Sequence, residues 1–209
     1  MRNNPLQQFE NVPIGIAELK SVYGNYAAIR NKICHLEQDE QLIRLRRGLY
    51  VVHPSVTQLL LTGELIANHI YTPSYVSMQS ALRYYGLIPE AVYQYQSMTT
   101  KVAREFSNPV GRFVYYHSTV PYYSIGITQG SSNGKYFLIA TPEKALCDLI
   151  CYTPNLSLRS KKSLVTYLQD DLRLDWDRFL MFDASIISAC LKYSKKQSIL
   201  NNLLKILQS

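Results

Sequence analysis

The sequence is poor in the features that mark membrane, fibrous or disulfide-built proteins. Its densest apolar stretch, Leu59-Leu60-Leu61, is broken at once by Thr62, Gly63 and Glu64. A spanning helix needs roughly 18 apolar residues, so no membrane span is expected. The start, Met1-Arg2-Asn3-Asn4-Pro5, carries one charge with no apolar segment behind it, and no secretory leader is expected. Nine glycines and nine prolines in 209 residues exclude collagen-like or linker-like chains. The four cysteines (Cys34, Cys147, Cys151 and Cys190) include no C-x-x-C pair. Cys147 and Cys151 lie four apart on an expected helix, but no further ligands stand close by in sequence. Neither a disulfide framework nor a metal site is expected. Reduced thiols in a cytoplasmic protein are the expectation.

Catalytic signatures are also missing. There is no Gly-rich phosphate loop, G-x-S-x-G elbow or H-E-x-x-H, so no cofactor is expected. Glu143 and Asp148 stand five apart, about 140° around a helix, and do not share a face. The four histidines (His35, His53, His69 and His117) are scattered among tyrosines and apolar residues. The expectation is a protein that is not an enzyme.

What remains is an ordinary globular composition, 47% hydrophobic and 18% charged, in a chain long enough for one or two domains. The net charge of +7 is unevenly placed: +2 over residues 1–55, +1 over 56–155 and +4 over 156–209. A basic balance permits nucleic-acid binding without establishing it. Tyrosine, at 17 residues, is the unusual component, with pairs at Tyr84-Tyr85, Tyr115-Tyr116 and Tyr122-Tyr123. Half-buried aromatics covering a small sheet are the preferred reading over base stacking. The basic tail, Lys161, Lys162, Lys192, Lys195 and Lys196 with Arg159, suits a nucleic-acid contact and a solvated surface equally.

The pattern resets at Pro54, giving two expected units: residues 1–55, and a larger mixed α+β unit over 56–209 with a helical C-terminal part. In the first, Ile16, Leu19 and Val22 space a helix over 14–23. Ile29, Ile33 and Leu36 space a second over 26–38. Two short helices joined through Gly24-Asn25 have a helix-turn-helix layout. Leu42 to Leu45 and Leu49 to Val52 then read as a hairpin tipped by Arg46-Arg47-Gly48, the wing of a winged helix. On the second helix Ala27, Asn31, Cys34 and Gln38 fall opposite the apolar stripe, with Arg30 on the flank. Asn pairs bidentately with adenine and Arg with guanine in the major groove. Arg44 and Arg46 alternate with Ile43 and Leu45, so both arginines are expected outward, reaching phosphates together with Arg47. The candidate DNA-binding residues are Asn25, Tyr26, Ala27, Arg30, Asn31, Arg44, Arg46 and Arg47. A winged helix that docks a protein or an RNA instead fits the same periodicity.

In the second unit, Ser77 reads as the N-cap of a helix over 78–85 stopped by Gly86. Strands are expected over 92–98, 112–118, 125–128 and 136–140, with a primed turn at Asn133-Gly134. Thr141-Pro142-Glu143 should start a helix striped by Ala145, Leu146, Leu149 and Ile150. Further helices are expected over 160–170, 176–182, 185–193 and 197–207.

Four blocks together carry a family likeness: Gln41-Leu42-Ile43-Arg44-Leu45-Arg46-Arg47-Gly48-Leu49-Tyr50; Ser74 through Glu90; Thr99-Thr100-Lys101; and Ala140 through Leu149. In this order, spanning roughly residues 14–152, they resemble the AbiEi antitoxins of type IV toxin–antitoxin systems. The resemblance implies an abortive-infection antitoxin with two duties. An N-terminal winged helix would bind double-stranded DNA at repeats in its own promoter. The C-terminal domain would counteract a nucleotidyltransferase-like toxin without a stable complex.

Overall fold

In the computed structural model, residues 4–24, 29–90, 93–158 and 160–208 are described. The chain opens on a 3₁₀ turn at Pro5–Phe9, capped by the Asn4 carboxamide. Strand β1 (Ile14–Gly15) leads into α1 (Ile16–Tyr23). Helix α2 (Ile29–Gln38) precedes a hairpin of β2 (Leu42–Arg46) and β3 (Leu49–Val52). The three strands form an antiparallel sheet in the order β1-β3-β2. The helix expected from residue 14 therefore starts two residues later, because Ile14 and Gly15 pair with Tyr50 and Leu49. Glu18 accepts the Gly15 N–H at 2.9 Å and closes the first turn, satisfying one of the orphan donors of a helix start. Tyr26 to Ala28, expected in the second helix, lie outside the described residues.

The hairpin is shared between two cores. Leu42, Tyr50 and Val52 bury with Leu6, Leu19 and Leu36 in a small cluster. Leu45 and Val51 bury instead in the larger cluster that fills the rest of the molecule. Strand alternation makes this possible, since successive residues face opposite sides of the sheet; a bulge between Arg44 and Arg46 then re-aims Arg46. The expected shared face of Arg44 and Arg46 does not form. Their cross-strand partners are the adjacent residues Tyr50 and Leu49, which point to opposite sides of the sheet.

Next come α3 (Pro54–Thr57) and α4 (Gly63–Ile70), then a second sheet. Its strands are β4 (Ser74–Val76), β5 (Gln94–Thr99), β6 (Arg104–Asn108), β7 (Gly111–His117), β8 (Ile127–Ser132) and β9 (Lys135–Ala140). Their order is β6-β7-β5-β4-β9-β8, mixed in direction, with β5·β7 and β4·β9 parallel. Helices α5 (Met78–Tyr84), α6 (Val120–Tyr123) and α7 (Pro142–Tyr152) interleave with these strands. A helical C-terminal part completes the α+β architecture: α8 (Lys161–Thr166), α9 (Trp176–Leu180), α10 (Ala184–Leu191) and α11 (Gln197–Leu207).

Two expectations in this part need correction. Ser77 holds the N-cap position of α5 as expected, but its hydroxyl makes no capping bond, because it donates to Asp148 at 2.6 Å. The Gln96 carboxamide accepts the free Gln79 N–H instead. The strand expected over 125–128 runs from Ile127 to Ser132, since Gly126, at φ 59°, turns the chain before pairing begins.

Candidate functional site

The α2 surface follows from its spacing. Ile33 and Leu36 are buried, whereas Arg30, Asn31, Cys34 and Gln38 are exposed or half-buried. Asn25, Tyr26 and Ala27, three of the expected DNA-binding residues, lie outside the described residues. Arg44 is exposed but occupied. Its guanidinium donates to both Glu37 carboxylate oxygens at 2.8 and 2.6 Å and lies 5.8 Å over the Tyr50 ring. It clips β2 to the end of α2.

Arg46 borders a concavity with Arg44, Glu37 and Glu40, and Arg46 and Arg47 line a cavity of about 530 Å³. Across the cavity lie Lys101 and Arg104, with Tyr71 and Phe106 as its aromatic walls. Lys101 is held in place: its ammonium donates to the Thr72 carbonyl and lies 5.4 Å over the Tyr71 ring. The Arg104 guanidinium rests 5.2 Å over Phe106. Both rings lean edge-on to the buried Tyr115, whose hydroxyl donates to the Ala67 carbonyl at 2.6 Å. Burial pushes the Tyr115 phenol well up, with the Arg46 charge opposing. Among the described residues lining the cavity there is no carboxylate. Sequence reading found Arg46 and Arg47 but not Lys101 and Arg104. Lys101 falls in the Thr99-Thr100-Lys101 block, but nothing local to it or to Arg104 places either beside the wing, which they reach only through the fold.

A second polar constellation is sealed. Lys144 and Asp148, both 0% exposed, pair at 3.2 Å one turn apart on α7. Asp148 also accepts the Tyr75 and Ser77 hydroxyls at 3.0 and 2.6 Å. Lys144 donates to the Tyr122 carbonyl at 2.9 Å and sits 3.2 Å from the Tyr122 ring centroid. Both side chains of the pair are fully buried, and the group ties α7 to β4 and α6. Sequence reading missed this pair, which its i,i+4 spacing on one helix could have found. Glu143, outside this cluster, accepts the Asp183 N–H at 3.1 Å and joins α7 to the start of α10.

Three of the histidines bond the backbone: the His53 ring nitrogen accepts the Ser55 N–H, and His69 and His117 bond the Leu65 and Lys101 carbonyls. Among the described residues no three His, Cys, Asp or Glu side chains group as metal ligands, and no helix is long and apolar enough to cross a membrane. Comparison with protein-family models and with curated proteins finds no match to this chain.

Proposed function

We propose that residues 5–52 are a winged helix and that the chain is a DNA-binding autorepressor. The observation that carries this reading is an order and a position. The order is helical turn, short strand, two helices and hairpin, in one three-stranded sheet. The position is that of Arg46 and Arg47, at the hairpin tip of a unit whose α2 presents Arg30 and Asn31 outward. Helix N-terminal side chains reading base edges, with a basic wing on phosphates, is how such units engage duplex DNA. The AbiEi-like blocks extend the proposal to an antitoxin of a type IV system, acting in the cytoplasm. There the larger domain opposes a nucleotidyltransferase-like toxin, probed by growth rescue during toxin induction.

A mobility-shift assay on the DNA upstream of its own gene tests the first part. Binding should exceed that to a scrambled duplex at physiological salt. Replacing Arg46 and Arg47 with Ala should flatten the salt slope by about 0.9 for each phosphate no longer neutralised. Arg44→Ala should change the slope less, since Glu37 already holds that guanidinium. Equal affinity for both duplexes removes the autorepressor reading and favours docking of a protein or RNA.

A further inference from the structure

The basic cavity asks for an anion. Arg46 and Arg47 at the end of β2 and in the turn after it, Lys101 in the β5–β6 turn and Arg104 at the start of β6 converge on one concavity. Like charges brought together without a counter-charge oppose one another, and the described residues lining this cavity supply none. Two of the four are already positioned without a ligand, Lys101 by the Thr72 carbonyl and Tyr71, and Arg104 by Phe106. Positioned cations lose less side-chain freedom when an anion arrives. Arginine forks take phosphate oxygens two at a time, and lysine adds a point charge. About 530 Å³ lies within the range of roughly 300–1,000 Å³ usual for small-ligand sites. That volume is enough for one nucleotide.

We infer that this cavity binds a free nucleoside di- or triphosphate. Its phosphate chain is held by Arg46, Arg47, Lys101 and Arg104. Because Arg46 and Arg47 are also the cations of the wing tip, an occupied cavity withdraws them from DNA. That second consequence rests on the DNA-binding reading above; nucleotide binding itself does not.

Calorimetric titration of the full chain with ATP, GTP and adenosine tests the site. Both triphosphates should bind, adenosine should not, and affinity should fall as salt rises. Lys101→Ala/Arg104→Ala should weaken triphosphate binding at least tenfold with an unchanged melting temperature. Arg104→Gln alone gives a milder replacement for the same comparison. In a competition arm, ATP should displace labelled upstream duplex from the wild-type chain but not from the double variant. Triphosphate binding that survives in the double variant overturns the assignment. So does absence of triphosphate binding, and if the double variant then loses duplex affinity the cavity is a nucleic-acid contact. If ATP binds through these residues and no upstream duplex binds at all, the nucleotide site stands and the repressor reading falls.

Discussion

Lys144 and Asp148 show how much a single buried pair can carry. Both side chains are fully buried, so each charge depends on its partners for what water would have supplied. Lys144 has the carboxylate and the Tyr122 carbonyl; Asp148 has the ammonium and two hydroxyls. Removing one member strands the other. Asp148→Asn or Lys144→Met should therefore cost about 3–5 kcal/mol in urea unfolding. Replacing both, as Lys144→Met/Asp148→Leu, should cost less than either single change, because no unpaired charge is left behind. Simple additivity of the two single losses would mean that the residues act separately.

Among the elements, Gly63 is a position where close approach decides the residue. A Cβ built there would lie 2.0 Å from the Tyr95 ring at the start of α4. That ring is stacked on Phe113 at 5.0 Å and 16°, so it makes room only by leaving the stack. Gly63→Ala should cost about 1–3 kcal/mol, as overpacking does, and should lower the melting temperature by about 2–4 °C per kcal/mol. An unchanged melting curve would show that the Tyr95 ring yields freely. Elements whose signals are local were legible in the sequence. Thr141 does accept the Lys144 N–H ahead of Pro142, and Asn133 and Gly134 both adopt positive φ in the β8–β9 turn. The hairpin and the Gln197–Leu207 helix were legible too. Strand β6 was not, because Arg104-Glu105-Phe106-Ser107-Asn108 edges the sheet and buries little, leaving no apolar alternation to read. The bulge in β2 was hidden for another reason: Leu45 keeps the alternation of Ile43, and only the pairing of Arg46 with Leu49 departs from it. The candidate site was half legible on the same grounds. Arg46 and Arg47 belong to a local motif, whereas Lys101 and Arg104 join them only across the fold.

At the scale of the whole molecule, the tyrosines set the response to alkali. Tyr75, Tyr115 and Tyr122 are buried, and burial pushes all three phenols well above their ordinary value, with the Asp148 charge adding at Tyr75 and Tyr122. Burial also pushes Tyr85 up to about 12, with Tyr84 and Glu143 adding. A phenol is charged only when it loses its proton, so a raised pKa means that the folded state holds the proton more tightly. Below about pH 10 both states are protonated, and the stability from these groups is fully present. As pH rises further, unfolded phenols ionise while the folded ones do not. Stability then falls by up to about 1.4 kcal/mol per pH unit for each such group, until its folded pKa is reached. These phenols hold the larger core, and Leu45 and Val51 of the hairpin bury in that same core, so the loss should reach the N-terminal unit as well. Melting temperature measured from about pH 7 to about pH 11.5 should be steady to about pH 10 and then drop steeply. Absorbance at about 295 nm should show exposed tyrosines ionising first and a cooperative second step at unfolding. Tyr115→Phe, which loses the bond to the Ala67 carbonyl, should lower stability at neutral pH and make the alkaline decline shallower. A melting temperature that stays flat across that range, or a single non-cooperative titration of all 17 tyrosines, would show that these hydroxyls are not held protonated by the fold.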